Sequence, residues 1–460
     1  MSELTMEKLA SFCKRVGFVF QGSEIYGGMG NTWDYGPVGI ELKNNIKKLW
    51  WKKVVQESEN SFGIDTSILM NPTVWKASGH LDSFSDPLMD CRECKTRHRA
   101  DKLIEEFQRK TGKFDVNPDA LDKTELFDYI MKNGIKCPNC GKQNFTEIRN
   151  FNLMFETNRG VSEDKQSKIF LRPETAQGEY INFLNVQRAT RAKVPFGIAN
   201  IGKAFRNEIT PGNFTFRTIE FEQMEHQWFC HEKDAMNYYE YYKNFAMDFF
   251  KAIGIDKDKL RFKDHDKLAH YAKAACDVQY KFPFGWDEMS GTHLRGTWDL
   301  SRHQEFSGKA MNYTDPFTNE TFIPTVVEHT IGCDRLALAV LCDAYCEEEL
   351  DDGETRIVLK LNPNFSAYKV CVLPLQKNLS EKGREVLKLL SKHFMCCYDE
   401  SGSIGKRYRR QDEIGTPYCV TVDFDTLEDG CVTIRDRDTM KQERIKIAEI
   451  EGYINKKLEF

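Results

Sequence analysis

The sequence has 460 residues, of which 40% are hydrophobic, 29% charged and 12% aromatic, with a formal net charge of −5. This length predicts two or three domains rather than one compact core. The acidic net charge argues against a generally basic nucleic-acid-binding surface, although it does not exclude a local basic patch. Because there is no N-terminal signal-peptide pattern and no run of 18 apolar residues, we expect a cytoplasmic protein that does not enter a membrane.

The first predicted element is a long amphipathic helix within residues 36–57, followed by a strand that ends before Pro72. Leu42, Ile46 and Leu49 recur at helical spacing, so one face is apolar while lysines cover the other. A helix and strand of this kind occur both as dimerisation units and as internal packing units, and the sequence pattern favours neither.

Residues 91–145 have the character of an insertion, because two cysteine pairs surround a polar stretch with one short helical pattern. In a cytoplasmic chain the fifteen cysteines are expected to be thiols or metal ligands rather than disulfides. Cys91, Cys94, Cys137 and Cys140 provide four thiolates, which suit a tetrahedral Zn²⁺ ion and leave no position for a substrate. We predict a structural, zinc-ribbon-like site. The long spacer between the pairs leaves cysteines without a metal as the alternative.

Residues 151–345 show strand-like runs separated by turns, with helices among them, which predicts an α+β domain on a largely antiparallel sheet. The predicted strands are 168–173, 196–205, 216–229 and 321–330, and the predicted helices are 234–254 and 333–345. From residue 366 strands alternate with helices, which predicts an α/β domain with a parallel or mixed sheet. The predicted division is a first domain at 1–90 and 146–350, an insertion at 91–145, a linker at 351–365 and a second domain at 366–460.

A hairpin is predicted where residues 201–210, IGKAFRNEIT, end in charge and a second strand returns. Alternation along an extended segment places Arg206 and Glu208 on one face. One face of the returning strand then mixes polar, charged and aromatic residues: Arg217, Ile219, Phe221, Gln223 and Glu225. An arginine and an aromatic ring can hold a purine between them, and a guanidinium can grip a phosphate. A two-faced hairpin with cross-strand salt bridges is the alternative.

Arg335 lies in the first turn of the apolar helix predicted at 333–345, after a strand that carries Glu328. A cation is disfavoured at a helix start unless it meets an anion, so this position predicts a phosphate site, with an arginine turned to solvent as the alternative. Glu174 is expected to lie exposed in a loop.

Carboxylates also cluster in residues 286–304, where Asp287, Glu288 and Asp299 accompany Arg295. They could coordinate Mg²⁺ on phosphate oxygens, although a solvated loop would show the same residues. No Walker A, kinase or Rossmann motif is present, so the charged residues together indicate a nucleotide site on an antiparallel sheet.

These segments resemble the class II aminoacyl-tRNA synthetases, and among them the dimeric glycyl-tRNA synthetase family. ILMNP is similar to the dimer motif, FRNEITPGNFTFRTIEFEQMEH to the second motif and GCDRLALAV to the third. WKASGH, RHRAD, FNLMF, RPETAQGEYINF and GSIGKRYRRQDEIGTP are similar to segments typical of the glycine enzymes. The resemblance spans nearly the whole chain. It implies a class II catalytic domain on an antiparallel sheet with a zinc-ribbon-like insertion, and a C-terminal α/β anticodon-binding domain.

The resemblance implies that Arg206 and Arg335 are catalytic, with Arg206 contacting the α-phosphate of ATP and Arg335 the γ-phosphate. It also implies that Glu208 lies near the adenine amino group and that Phe216 stacks on the base. The implied ATP-binding residues are Arg206, Asn207, Glu208, Phe216, Arg217, Thr218, Ile219, Glu220, Phe221, Glu288, Met289, Gly332, Cys333, Asp334 and Arg335. The implied glycine-binding residues are Arg99, Glu174, Phe221, Glu222, Gln223, Met224, Glu225, Arg295, Glu328, His329 and Thr330.

In the implied reaction, ATP and Mg²⁺ activate glycine as an adenylate and tRNA(Gly) accepts it, in a homodimer joined through residues 36–72. Glu174, Glu225 and Glu328 would hold the ammonium group of glycine. The sequence departs from the family at Glu328-His329-Thr330, where Glu-Pro-Ser is usual. The added methyl group and the lost proline are expected to change the pocket geometry but not the substrate.

Two alternatives remain. One is another enzyme of this architecture, specific for serine, threonine or proline or forming adenylates without tRNA. The other is a zinc-containing nucleic-acid-binding or regulatory paralogue without activity. The basic stretch at 405–415, GKRYRRQDEIG, is a candidate tRNA contact, with a solvated helix face as its alternative.

Overall fold

The computed structural model describes residues 4–160, 167–209, 212–265, 268, 272–350 and 353–458. Within these ranges the helices are α1 (Met6–Arg15), α2 (Pro37–Trp51), α3 (Pro72–Ala77), α4 (His80–Ser83), α5 (Ala100–Thr111), α6 (Lys123–Lys132), α7 (Ala176–Ile181), α8 (Phe183–Thr190), α9 (Ala235–Ala252), α10 (Trp298–Ser307), α11 (Cys333–Ala344), α12 (Ser380–Leu390), α13 (Ile404–Ile414), α14 (Thr426–Asp429) and α15 (Ile450–Lys457).

The strands of the same ranges are β1 (Val19–Gln21), β2 (Trp33–Tyr35), β3 (Ser61–Ile64), β4 (Ser85–Asp90), β5 (Arg97–Arg99), β6 (Arg149–Asn152), β7 (Glu156–Asn158), β8 (Lys168–Phe170), β9 (Phe196–Phe205), β10 (Glu220–Cys230), β11 (Leu260–Asp264), β12 (Ala274–Phe282), β13 (Gly285–Gly296), β14 (Tyr313–Thr314), β15 (Thr321–Phe322), β16 (Thr325–Gly332), β17 (Tyr345–Glu349), β18 (Thr355–Leu359), β19 (Val370–Pro374), β20 (Cys396–Tyr398), β21 (Tyr418–Val422), β22 (Cys431–Asp436) and β23 (Gln442–Lys446).

A seven-stranded sheet in the order β11-β12-β13-β16-β10-β9-β3 forms the centre of the larger part of the molecule. All neighbours pair antiparallel except β3, which runs parallel to β9. The prediction of a largely antiparallel sheet is confirmed. Because β13, β16 and β10 are adjacent, side chains that alternate onto one face of these strands meet there.

Helices cover the opposite face of this sheet. α9 packs on β13 and β16, and α11 packs on α2 and β10. α2 begins with Pro37 at a position where a helix needs no backbone N–H, and it buries Leu42, Ile46 and Trp50 in the main core. The predicted amphipathic helix is thus present, with its apolar face inside the molecule.

The cysteine-rich segment forms a small unit of its own, with the three-stranded sheet β5-β4-β6 and helices α5 and α6. α6 starts with a capping box, in which Asp122 accepts from the backbone of Glu125 and the Glu125 side chain accepts from the backbone of Asp122. Leu103, Ile104 and Ile130 belong to its core. The insertion therefore has a hydrophobic core beyond its cysteines.

The C-terminal part contains a five-stranded mixed sheet in the order β20-β19-β21-β22-β23. β19 pairs parallel with β20 and β21, whereas β22 pairs antiparallel with both of its neighbours. This confirms the predicted α/β fold with a mixed sheet.

Several predicted segments differ from the structure. The strand predicted at 168–173 ends at Phe170, and the strand predicted at 321–330 is divided into β15 and β16. The returning strand was expected from residue 216, but β10 begins at Glu220, since Phe214–Phe216 form a short helical turn entered through Asn213 at φ 60°. Residues 286–304, for which a solvated loop was the alternative to a magnesium-binding cluster, belong to β13 and α10.

Candidate active site

A cavity of about 220 Å³ lies on the sheet where β10, β13 and β16 are adjacent. Its walls come from these strands, from the segment after β9, from the start of α11 and from the loop before α7. The lining residues are Glu174, Arg206, Glu208, Thr215, Phe216, Arg217, Thr218, Phe221, Glu222, Gln223, Glu225, Glu288, Met289, His293, Arg295, Glu328, Thr330, Gly332, Asp334 and Arg335. Most residues predicted for ATP and glycine therefore share one space.

Arg206 lies in the cavity directly after the end of β9. Its Nε donates to the carbonyl oxygen of Pro173 at 3.1 Å. Its guanidinium carbon lies 5.3 Å from the ring centres of both Phe84 and Phe221. The strand ends at Phe205, so Arg206 and Glu208 follow it in a turn rather than continuing the predicted extended segment. These contacts fix the side chain of Arg206, and its guanidinium group lines the cavity.

Arg335, in the first turn of α11, provides the second guanidinium. It lies 4.4 Å above the ring of Phe216 and donates to a Glu288 carboxylate oxygen at 3.1 Å. An aromatic ring covered by a guanidinium is a suitable place for a purine. The helical turn at Phe214–Phe216, absent from the sequence prediction, is what brings this ring under Arg335.

Glu208 carries a buried oxygen for which no hydrogen-bond donor is found in the part of the chain that the structure describes. The NH1 nitrogen of Arg217 lies 3.7 Å from this Oε2 atom. A buried carboxylate oxygen without a donor is costly unless a ligand donates to it. Glu208 is therefore prepared to accept a hydrogen bond from a bound molecule.

Three carboxylates, from Glu174, Glu225 and Glu328, line the cavity from the loop before α7, from β10 and from β16. Glu174 was expected to lie exposed in a loop. In the structure its side chain lines the cavity. Glu225 accepts from Thr175 at 2.5 Å and from Thr330 at 3.3 Å. This concentration of negative charge suits an ammonium group.

The three carboxylates have different pKa values. Burial opposes the charge on Glu328, but Arg295 and His293 outweigh it and lower its pKa. Burial likewise opposes the charge on Glu174, whose pKa is nevertheless low because of His80 and Arg295. For Glu225, burial and the charges of Glu328 and Glu174 raise the pKa to about 8. The cluster thus combines two anions with one carboxyl group that holds a proton near neutral pH.

Arg295 joins this cluster to α10. It donates to both oxygens of Asp299, at 2.8 and 3.0 Å, and lies 3.2 Å from Glu328. Asp299 was a predicted candidate for a magnesium ligand, but in the structure both of its carboxylate oxygens accept hydrogen bonds from Arg295. Asp287 also does not line the cavity, which leaves Glu288 as the lining residue from that group.

Two histidines of the site were not among the predicted residues. His293 Nδ1 lies 2.8 Å from Glu328, and His80 Nε2 lies 3.4 Å from Glu174. His293 stands two positions before Arg295 in β13, so recognising that strand would have placed both on one face.

Seven predicted residues do not line the cavity: Arg99, Asn207, Ile219, Glu220, Met224, His329 and Cys333. Strand alternation explains Met224 and His329, which point into the opposite core while their neighbours face the cavity. The ring of His329 stacks on Tyr242, with centroids 6.1 Å apart. Cys333 is also buried in the core, and Glu220 pairs with Lys203 at the surface.

Arg99 belongs to β5 of the inserted unit. It pairs with Asp86 at 3.1 Å and with Asp101 at 2.6 Å. Burial lowers its pKa, but Asp101, Asp86 and the more distant Glu208 outweigh this and raise it. Arg99 therefore interacts electrostatically with Glu208 of the cavity, while its guanidinium group is paired with Asp86 and Asp101.

The four predicted metal-binding cysteines converge in the inserted unit, with their Sγ atoms all within 4.8 Å of one another. The Sγ atoms of Cys91 and Cys140 lie 3.6 Å apart, as do those of Cys94 and Cys137. A tetrahedral zinc ion with Zn–S bonds of about 2.3 Å separates its sulfurs by about 3.8 Å, so the cluster fits a metal.

The basic helix α13, the candidate tRNA contact, exposes only part of its positive charge. Arg407 is buried and donates to the backbone oxygens of Pro374 and Leu375. Arg410 pairs with Asp399. The positive charge that α13 presents to solvent is therefore smaller than the sequence suggests. No helix in the described ranges combines the length and the apolar character needed to cross a membrane.

Comparison with known proteins gives matches to two family models and to whole chains. Residues 155–345 match the tRNA synthetase class II core domain (G, H, P, S and T), and residues 369–457 match the anticodon binding domain. A solved structure titled as the RNA binding domain of threonyl-tRNA synthetase from Cryptosporidium parvum covers 97% of each chain with a TM-score of 0.65. At 14% identity this likeness concerns the fold alone.

Relatives with a curated name are much more similar. The glycine–tRNA ligase of Clostridium acetobutylicum is 58% identical over 99% of this chain and 99% of its own length. The glycine–tRNA ligase of Clostridium perfringens is 55% identical over 100% of this chain and 99% of its own length. The chain belongs to the glycine–tRNA ligase family of class II tRNA synthetases.

Proposed function

We propose that this protein attaches glycine to tRNA(Gly) in translation, with ATP and through a glycyl-adenylate. The observation that carries the proposal is a single cavity in which the guanidinium groups of Arg206 and Arg335, the ring of Phe216 and a cluster of carboxylates meet. Such a site provides for a triphosphate, a purine and an ammonium group together. A protein that only binds nucleic acid has no use for this combination.

In the activation step, the glycine carboxylate attacks the α-phosphate of ATP and pyrophosphate leaves. Arg206 stabilises the negative charge on the α-phosphate, and Arg335 holds the γ-phosphate. The rate enhancement comes from positioning and electrostatics, without a covalent intermediate on the enzyme. The adenine ring stacks on Phe216, which requires Arg335 to move from its position 4.4 Å above that ring, and the adenine amino group donates to the buried oxygen of Glu208.

Glu288 is the residue that would hold Mg²⁺, because it lines the cavity beside Arg335 and Mg²⁺ in such sites takes one or two carboxylates plus phosphate oxygens. The bound ion would neutralise charge on the phosphates.

Glycine has no side chain to recognise, so selection rests on its charges and on a pocket too small for a larger amino acid. Glu174, Glu225 and Glu328 bind the ammonium group. Thr330 supports the proposal, because its hydroxyl donates to Glu225 where the family usually has a serine. The neighbouring His329 faces the other side of β16, away from the cavity.

The four cysteines of the insertion bind a structural Zn²⁺ ion in this proposal, and their sulfur spacing supports it. The domains are a catalytic domain at 1–90 and 146–350, an insertion at 91–145, a connecting segment at 351–365 that contains β18, and an anticodon-binding domain at 366–460. The protein works as a homodimer joined through residues 36–72.

The anticodon-binding domain contacts tRNA(Gly) in part through α13. We expect Arg409→Ala combined with Arg410→Ala to raise the KM for tRNA several-fold, as loss of a phosphate contact does, and to leave adenylate formation unchanged. Aminoacylation kinetics and ATP–pyrophosphate exchange on the same preparation measure the two effects. Equal losses in both assays would argue against a local tRNA contact.

The test of the function is ATP–pyrophosphate exchange with each standard amino acid in turn, followed by charging of tRNA(Gly). We expect exchange with glycine, and transfer of glycine to that tRNA. Exchange with serine and not glycine would overturn the substrate assignment. Intact ATP binding without exchange for any amino acid would instead indicate a paralogue that only binds.

A further inference from the structure

Beside the cavity, two histidines and an aspartate converge from neighbouring strands. His265 follows β11, Asp277 lies in β12 and His293 lies in β13, and their candidate ligand atoms are all within 4.8 Å of one another. Nε2 of His265 is 2.9 Å from Oδ1 of Asp277. The two histidine rings meet edge to face, with centroids 5.7 Å apart. Adenylate formation, as proposed above, uses neither His265 nor Asp277.

Gly291, which has no side chain, leaves room for the His293 ring in this cluster. Gly291 lies opposite Asp277 in the β12–β13 pairing. A Cβ atom at Gly291 would come within 2.7 Å of Cε1 and 3.3 Å of Nε2 in the His293 ring, and 3.5 Å from Oδ1 of Asp277. Any other residue at this position would therefore displace the His293 ring from the cluster.

His293 is held from its other side. Its Nδ1 contacts Glu328 at 2.8 Å, which leaves Nε2 to face the cluster. Histidines that bind metals commonly have their second nitrogen fixed in this way by a carboxylate. The contact with Glu328 thus orients the ring as a metal ligand would need.

We propose that His265, Asp277 and His293 form a second metal site, separate from the four cysteines, for a divalent transition-metal ion such as Zn²⁺. Two imidazoles and one carboxylate suit such an ion better than Mg²⁺, which prefers oxygen ligands. A tetrahedral ion with bonds of about 2.0–2.1 Å places its ligands about 3.3 Å apart, so the cluster needs to contract by about 1.5 Å at most.

A bound ion would fix His293, and through it Glu328, at the wall of the cavity. Three protein ligands leave a fourth position for water. The proposal rests on side-chain geometry and holds whichever amino acid the enzyme activates. The competing arrangement is an ion pair between His265 and Asp277 without any metal.

The test uses the full-length protein with Cys137→Ser and Cys140→Ser, which removes the thiolate site, and Co²⁺ alone as the probe. We expect one equivalent of Co²⁺ to bind with weak visible bands and without the intense near-ultraviolet band of a thiolate complex. Adding His265→Ala should weaken binding at least about tenfold. His231→Ala is the matched control, because His231 also pairs with a carboxylate, that of Glu320, but lies outside the cluster.

Absence of Co²⁺ binding in the cysteine variant, or binding that His265→Ala leaves unchanged, would overturn the proposal. If the cysteine variant does not fold, the comparison is made in the wild-type background by equilibrium dialysis. There His265→Ala should lower the Zn²⁺ stoichiometry by one and leave the thiolate–Co²⁺ band unchanged. An unchanged stoichiometry would again favour the ion pair.

Discussion

At the scale of single residues, Arg335 connects the adenine and phosphate parts of the cavity through its contacts with Phe216 and Glu288. We expect Arg335→Gln to lower kcat/KM for ATP in pyrophosphate exchange by about 10²- to 10³-fold, as loss of a preorganised charge contact typically does. Arg302→Gln is the control, since Arg302 also stacks on an aromatic ring, that of Phe306, but outside the cavity. Similar losses in both variants would contradict the phosphate role.

Glu225 gives a prediction about pH. Its pKa of about 8 means that it is mostly neutral below that pH, because burial and its carboxylate neighbours disfavour the charge. An ammonium ligand needs the anion, so glycine binding must release the proton. We expect kcat/KM for glycine to rise by up to about tenfold per unit between about pH 6 and pH 8 and then to level off.

The control for this prediction is Glu225→Gln, which cannot titrate. It should bind glycine more weakly and lose the rise with pH, while the KM for ATP stays nearly constant in both proteins. A wild-type profile that is flat across this range would show that Glu225 is already ionised before glycine binds.

At the scale of elements, the buried Lys43 ties α2 to α11 and β10. Its Nζ lies 2.7 Å from Asp334 and 3.1 Å from Glu222. Lys43→Met would leave the buried Asp334 carboxylate without its paired cation, so we expect a loss of about 3–5 kcal/mol in the free energy of unfolding. Lys47 also pairs with Glu222, but from a more exposed position. Lys47→Met should therefore cost less than about 1 kcal/mol.

Urea unfolding followed by tryptophan fluorescence measures both variants. Because the protein has several domains, the first transition is the one to compare. Equal losses in the free energy of unfolding for Lys43→Met and Lys47→Met would mean that the buried Lys43–Asp334 pair stabilises the protein no more than the more exposed Lys47–Glu222 pair does.

The same scale shows which elements the sequence could predict. β9 has the predicted bounds, and α9 and α11 lie within one or two residues of them, because their apolar patterns follow a regular period. β13 escaped prediction because His293 and Arg295, which face the cavity, replace the apolar residues that would mark a strand. The turn at Phe214–Phe216 escaped because positive φ at Asn213 and Phe214 carries no glycine signal.

At the scale of the whole molecule, the cavity joins residues far apart in the chain, so its members could be predicted by motif order but their contacts could not. Motif resemblance predicted that Glu174, Arg206, Glu328 and Arg335 belong to one site, and they line one cavity. The contacts of His80 with Glu174 and of His293 with Glu328 depend on long-range packing, which a local sequence pattern does not predict. The same limit applies to the faces that join one chain to another.

Several large apolar side chains remain exposed near the proposed dimer element. Ile40 in α2 is 39% exposed and Leu69, after β3, is 52% exposed. A stable dimer buries about 1,200–2,000 Å² in total, and such side chains are typical of its core. We expect the wild-type protein to sediment as a dimer, and Ile40→Asp combined with Leu69→Asp to shift it towards monomer.

Phe317→Asp provides the matched control, because Phe317 is an apolar residue that is 76% exposed and lies outside residues 36–72. Sedimentation equilibrium at several concentrations should give a dissociation constant for Phe317→Asp close to that of the wild type. For the double variant the constant should rise by at least about a hundredfold, since each buried charge at an interface costs more than about 1.4 kcal/mol, which is a factor of ten. A monomeric wild type, or a dimer that both variants preserve, would place the contact between copies elsewhere or remove it.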